Sequence, residues 1–429
     1  MPYSFPEDGL LRRLVDIYFN EENTIHPLVY RPTFEVRLSS SLHEHDRSFG
    51  ALVLAMVSIA SWHCDDPRVL HDSMSAGWQW YRQIRCTPNA STSPPNLHTL
   101  QTYVLCSFYA TATNVQTEYA WNLPGFGLRM AQVVGAHRQK HGCLPSAEDE
   151  EWKRAFWALY GMDAFVSAST GRPMAMGVDD FDVYPPLAVD EAYWGTPEAF
   201  VQPEDAPSSN ACWTHFCALL EIVGFANQTI YAPRRSNLSL EMSLPDWDKR
   251  TVVAIDNALD EWVDDIPEHL RWNLHNPNAV FFKQSVSLYT SFYFATILVH
   301  RPFITSCADP ISINWPSLAL CVNAARSMCH VVDAYSRRGF APMFYLQTMV
   351  FWAATVLSMN VWRNKALGND AQVRQDVGNV RICTHYLRMA EKWCVFVQLY
   401  PVSLKLTVSC RWPNVRRLVY VSSIALPKP

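Results

Sequence analysis

Residues 151–186 read EWKRAFWALYGMDAFVSASTGRPMAMGVDDFDVYPP. The first part is apolar on every turn and free of proline, which predicts a helix over 148–169. Gly171 can take the left-handed conformation that ends a helix, and Pro173 just behind it prevents resumption. Pro173 also pushes Arg172 toward an extended backbone. From there the guanidinium can reach helix-end carbonyls or a carboxylate through forked hydrogen bonds. Asp179, Asp180 and Asp182 follow as partners, and Pro185 and Pro186 stiffen the exit. The segment offers no nucleophile and no tuned acid–base pair, so it reads as a structural latch at a helix end.

The helical period continues along nearly the whole chain. Leu10, Leu11, Leu14, Val15, Tyr18 and Phe19 mark one face of an opening helix that Pro27 stops. Further helices are expected over 49–62, 68–85, 97–113, 118–140, 210–231, 245–264, 277–300, 315–337, 341–365 and 371–399. Strand-like alternation is rare before residue 400. The expected fold is all-α: one large, irregular bundle of about a dozen or more packed helices. It divides into an N-terminal half (1–190), an acidic, Pro-containing connection (191–208) read as exposed, and a C-terminal half (209–400). Residues 401–429 are β-branched and locally basic, and are expected to form a poorly packed tail.

Composition narrows the function. Of 429 residues, 49% are hydrophobic and 17% charged, enough for a large core. Lys+Arg number 35 against Asp+Glu 40, and the first 400 residues hold no basic stretch suited to nucleic acid. The 16 Trp and 21 Phe suit core packing or an aromatic-lined cavity. None of the 12 Cys is spaced C-x-x-C, which excludes zinc sites built on close pairs. Most sit in apolar helical contexts, where a thiol behaves as a small hydrophobe in a reducing compartment. Residues 344–362 carry no charge, but Gln347, Thr348, Ser358 and Asn360 interrupt them, so they read as a core helix.

Catalytic motifs fail on their own terms. No Gly precedes a Lys, so a P-loop is excluded. GFGLRM (125–130) places Met130 where a dinucleotide fingerprint needs its third Gly. His43 and His45 read as a solvated loop, and His63, Cys64, Asp65 and Asp66 as a capped helix end. DEWVDD (260–265) is similar to the magnesium motif of all-α terpene cyclases. The partner motif opens with Asn369 and Asp370, but Val373 and Val377 stand where a hydroxyl and a carboxylate belong. An all-α enzyme acting on a hydrophobic substrate therefore remains the alternative, with a ligand-free protein-interaction module as a third reading.

Several pieces recur in one order: HPLVYRPTF (26–34), the stretch 151–186, YW (193–194), LDEWVDDIPEHLRW (259–272), LVHRPFI (298–304) and CVNAARSM (321–328). Over about residues 8–400 the chain resembles the middle homology region of fungal-specific transcription factors of the zinc binuclear cluster family, the xylanolytic-activator type. The resemblance implies a non-enzymatic regulatory domain controlling RNA polymerase II transcription in the nucleus. It also implies a small-molecule effector, transcription co-regulators and a homodimer as partners, and no membrane. The matching positions, taken as structural, are His26, Pro27, Arg31, Pro32, Gly171, Arg172, Pro173, Asp180, Asp182, Pro185, Trp262, His300, Arg301 and Pro302. No catalytic or metal residue and no cofactor are implied in this chain. Zinc and DNA belong to an N-terminal cluster of full-length members, and carry over to no residue here.

Overall fold

The computed structural model describes residues 2–70, 75–86, 94–113, 117–140, 142, 144–194, 200–231, 244–304 and 316–391. In chain order its helices are α1 (Asp8–Ile17), α2 (Arg31–Ser39), α3 (Leu42–His45), α4 (Arg47–Ala60), α5 (Trp78–Tyr81), α6 (Leu97–Thr113) and α7 (Thr117–Val133). Then follow α8 (Ala147–Thr170), α9 (Ala211–Thr229), α10 (Leu244–Asp264), α11 (Ala279–His300), α12 (Ser317–Arg337), α13 (Leu346–Ala366) and α14 (Asp370–Ala390). No strand occurs among the described residues. The all-α expectation holds.

Helix α8 organises the rest. Ser146 caps it, its hydroxyl accepting from the Asp149 N–H at 3.1 Å. Glu148, Asp149 and Glu150 place negative charge in the first turn, which suits the positive end of the helix dipole. At the other end Gly171 adopts φ +69°, and its N–H bonds the Ser167 carbonyl. Between these caps the helix is buried on every face from Arg154 to Gly161. That is how a helix apolar all round must sit.

Three apolar clusters surround α8. One gathers α1, α4, α6 and α7 against Phe156, Trp157, Leu159 and Tyr160, and takes in Trp213 and Leu220 from α9. A second joins α11, α12, α13 and α14 and includes Ala168. A third joins α9, α10 and α11 and includes Ala164. Phe165 packs against all three. Its ring stacks on Phe216 at 6.0 Å and on Phe294 at 5.9 Å. Packing therefore continues across the 191–208 connection through a single helix.

That connection is less exposed than its composition suggests. Trp194 is buried, donates Nε1–H to the Val189 carbonyl, and covers the Arg154 guanidinium at 4.5 Å. Asp190 accepts from the backbone N–H of Ser209 at 2.8 Å, tying the segment to the start of α9. Other expectations also shift. In place of one helix over 68–85 the described residues show a 3-10 turn (Pro67–Val69) and the short α5. Gly77 at φ +79° turns the chain tightly against Ser58. Helix α7 ends at Val133 because Gly135 adopts φ +76°. His43 is not solvated: it lies in α3, buried, edge-on to Phe5 at 4.8 Å. Asp66 does cap a turn, accepting from the Arg68 N–H at 3.0 Å. Residues 344–362 lie mostly within α13 as a core helix, and no helix among the described residues is long and apolar enough to cross a membrane. The tail expected at 401–429 lies outside the described residues.

The α8–α9 contact depends on a missing side chain. A Cβ at Gly224 would sit 1.9 Å from the Tyr160 hydroxyl and 3.0 Å from Val178 Cγ1. Gly224→Ala is expected to destabilise the fold by ~1–3 kcal/mol through overpacking. Chemical denaturation checks this, and a cost within error of zero would show that the two helices can part.

Candidate functional site

The corner after α8 is held from inside the protein, not by its own charges. Asp163 is buried, and its Oδ2 accepts from the Ala175 N–H at 2.7 Å. The Ser167 hydroxyl lies 3.3 Å from Asp163 Oδ1 and 3.2 Å from the Pro173 carbonyl. Trp121 Nε1–H, reaching in from α7, donates to Ser167 and to the Pro173 carbonyl, each at 3.2 Å. Burial pushes the Asp163 carboxyl up to about 6, although the N–H groups of Ala175 and Met176 and the Ser167 hydroxyl oppose the shift.

Arg172 takes no part in an Arg–Asp clamp. Its guanidinium lies over the Trp121 ring at 5.2 Å, and Nη1 has no hydrogen-bond partner. Asp180 instead accepts from the Gly177 N–H at 2.7 Å and closes a local turn. Asp182 accepts from the Gln139 N–H at 2.7 Å and lies 3.3 Å from Arg138. The expected latch of Arg172 with the Asp residues after it does not form; the corner is tied instead by Asp163, a carboxylate buried within the helix. Pro185 is half-buried in the exit strand of chain, whose neighbours are pinned by Trp157 Nε1–H to the Tyr184 carbonyl at 3.1 Å and by Thr214 to the Pro186 carbonyl at 2.8 Å.

The first turns of α8 brace other segments in the same way. Glu150, fully buried, accepts from the Leu187 N–H at 2.8 Å and pairs with Lys153 at 2.7 Å. Glu151 accepts from the Tyr30 N–H at 3.0 Å and from Gln101 at 3.1 Å. Arg154 pairs with Glu191 at 2.5 Å. Pro27 is buried beside this region. Arg31, at the start of α2 with Pro32 behind it, bridges Asp16 at 2.5 Å and Glu35 at 2.6 Å.

The later motifs knit the other half. Trp262 and His215 exchange bonds: indole N–H to the His215 carbonyl at 2.9 Å, and imidazole Nε2 to the Trp262 carbonyl at 3.0 Å. The rings stack at 4.6 Å. The carboxylates around Trp262, at 260, 261, 264 and 265, are exposed, and Asn369 caps α14. His300 is buried, 3.0 Å from Asp256 on α10 and 3.4 Å from Ser317 on α12. Arg301 donates to the Ala168 carbonyl at 2.8 Å and lies over the rings of Trp352 (4.5 Å) and Tyr231 (5.4 Å). Pro302 sets the 3-10 turn that aims it.

His26 enters the junction between these regions. A π-helical turn, Tyr18–Glu22, extends α1 and carries the chain into it. Irregular turns of this kind are frequent at functional sites. The His26 ring lies 4.6 Å from Tyr345, 5.2 Å from Phe108, 5.7 Å from Trp213 and 6.4 Å from Phe344. Burial pushes its imidazole down to about 3, so it is neutral at pH 7. Beside it Glu22 pairs with His63 at 2.5 Å, and Glu21 with Lys283. The Gln284 amide donates to the carbonyls of Thr24 and Ser209, both at 2.8 Å. Sequence reasoning found His26 but missed Glu22, Asp163, Trp213 and Tyr345. The signal for Asp163 was a carboxylate inside an otherwise apolar helix. Among the described residues no group of three His, Cys, Asp or Glu side chains is placed to hold a metal ion.

The model of the fungal specific transcription factor domain matches residues 15–264, which is over half the chain and includes α8, its corner and the His26 segment. The chain belongs to this family. It is 24% identical over 378 residues to "Transcriptional activator protein acu-15" of Neurospora crassa, covering 85% of this chain and 38% of that protein. It is 22% identical over 416 residues to "Cutinase transcription factor 1 alpha" of Fusarium vanettenii, covering 93% and 43%. An "Acetamidase regulatory protein" of Aspergillus fumigatus is 25% identical over 309 residues, covering 70% and 36%. The chain thus spans about two fifths of the length of these curated relatives. No solved structure matches it.

Two outcomes test the bracing of this family domain. The raised Asp163 pKa stabilises the fold below the unfolded value near 3.8, and that contribution is lost as pH rises through about 6. Relative to Asp163→Asn, the wild type should lose on the order of 3 kcal/mol between pH 4 and pH 7. Denaturation at both pH values reads this, and a constant offset would refute it. Separately, Arg301→Ala is expected to cost ~2–3 kcal/mol through a lost charged hydrogen bond, against ~1 kcal/mol or less for Arg172→Ala. Equal melting-temperature losses would contradict the assignment.

Proposed function

We propose that this chain is the regulatory body of a fungal nuclear transcription factor, and that it carries out no turnover. Its supporting observation is the family match over residues 15–264, joined by relatives whose names are those of transcription regulators. DNA is read by a zinc cluster that lies outside these 429 residues, and co-regulators contact the helical body. A small-molecule effector and self-association bias its packing. Several of the motifs that resemble the family lie where a polar side chain ties one element to another, and in this reading such ties hold one of two packings. A ligand that prefers one packing shifts the population toward it.

The test is a fusion. Residues 1–429 joined to a heterologous DNA-binding domain should accumulate in the nucleus of a fungal host and change reporter output relative to that DNA-binding domain alone. Output identical to the unfused domain, from a folded and expressed fusion, would sink the regulatory reading.

A further inference from the structure

Helix α14 presents one basic edge to solvent. Arg374, Arg381, His385 and Arg388 are exposed and recur at helical spacing along one side. Val380, Cys383 and Leu387 face the bundle instead. After Asp370 in the first turn, the helix holds one carboxylate, Asp376, and it is turned inward to Arg326 at 2.8 Å. Among the described residues no carboxylate pairs with the three arginines.

The end of α10 has the opposite sign. Asp260, Glu261, Asp264 and the following Asp265 are exposed, while Ile255, Leu259 and Trp262 are buried. Arg271 lies beside them, but its guanidinium donates to the carbonyls of Ile266 and Asp264, each at 3.1 Å. This arrangement works against its own helix. Asp260 with Asp264, and Glu261 with Asp265, repeat one charge four residues apart, a destabilising spacing. The carboxylates also stand at the C-terminal end of α10, where the helix dipole disfavours negative charge. Local choices that oppose the helix point to a purpose outside it.

The two faces do not meet within one chain. α10 packs against α11, α11 against α12 and α13, and those two against α14. Helices therefore stand between the acidic and the basic face, and among the described residues no ion pair joins them. Each face finds its complement in charge on another copy of the same molecule.

We propose that the basic face of α14 docks on the acidic end of α10 in a second copy of this chain. The contact supplies a surface for the self-association in the regulatory reading above, and its regulatory meaning rests on that reading. In a two-fold dimer the pairing is made twice, once in each direction. α10 and α14 belong to different apolar clusters, so the docked copy bears on both.

Sedimentation equilibrium of the full chain tests the contact. Wild type should associate at low salt, and its apparent Kd should rise about tenfold or more between ~0.05 M and ~0.5 M salt, because exposed charges are screened. The triple variant Arg374→Glu, Arg381→Glu, Arg388→Glu makes both faces acidic. The triple variant Asp260→Lys, Glu261→Lys, Asp264→Lys makes both basic. Each alone should associate about tenfold more weakly or worse, since like charges then face each other. An equimolar mixture of the two should recover wild-type affinity, because every reversed face meets its complement. Should a reversed variant fail to fold, Arg374→Gln, Arg381→Gln, Arg388→Gln removes the charge and should weaken association in the same direction. Reversed variants that associate as wild type does, or a mixture that stays dissociated, overturn the proposal. So does a monomeric wild type that binds poly-glutamate through α14, which assigns the face to a foreign polyanion. A chain that associates through these faces while its fusion leaves reporter output at the level of the DNA-binding domain alone sinks the regulatory reading and spares the contact. A fusion that regulates while the chain stays monomeric sinks the contact alone.

Discussion

Polar groups buried in an apolar helix must find partners, and this protein depends on how α8 meets that demand. Removing Glu150, Glu151, Arg154 and Asp163 from water is costly unless each is hydrogen-bonded or paired. In this fold nearly every partner is the backbone or side chain of a different loop. Glu150 holds the chain at Leu187, Glu151 at Tyr30, Arg154 at Glu191, and Asp163 at Ala175. A helix that could have been a passive core rod is instead the anchor for the irregular segments around it.

The second half uses the same device from outside. Arg301 reaches the last turn of α8 through the Ala168 carbonyl, one of the helix-end acceptors without an intrahelical donor. His300 next to it faces Asp256 and Ser317, so two consecutive residues address helices on three sides. Phe165 completes the arrangement, since its ring is shared by all three apolar clusters. Relative movement of the clusters would have to pass through this residue and the Arg301 contact. Phe165 lies within the stretch that the family model matches.

Much of the architecture was legible in the sequence. The stop of α8 at Gly171 and the long helices from α9 to α13 follow from periodicity and breaker residues. The region 68–85 misled because its apolar spacing is helical while Gly77 needs a positive φ beside Ser58. Arg172 and its trailing Asp residues looked like a clamp because opposite charges lie close in sequence. In space they face different neighbours, and the real tether comes from a carboxylate upstream. Trp194 looked exposed because its neighbours are acidic and rich in proline, yet the Arg154 guanidinium draws it inward.

The sequence by itself determined the fold class, the long helix boundaries and the motifs that mark the family, because these depend on local period and on backbone-restricting residues. Tertiary structure alone decided which buried polar atom meets which loop, and that Tyr345 and Trp213 pack against His26. Hydrogen bonds act over about 3 Å, and most of these partners lie on different elements, so only the packed chain brings them within reach.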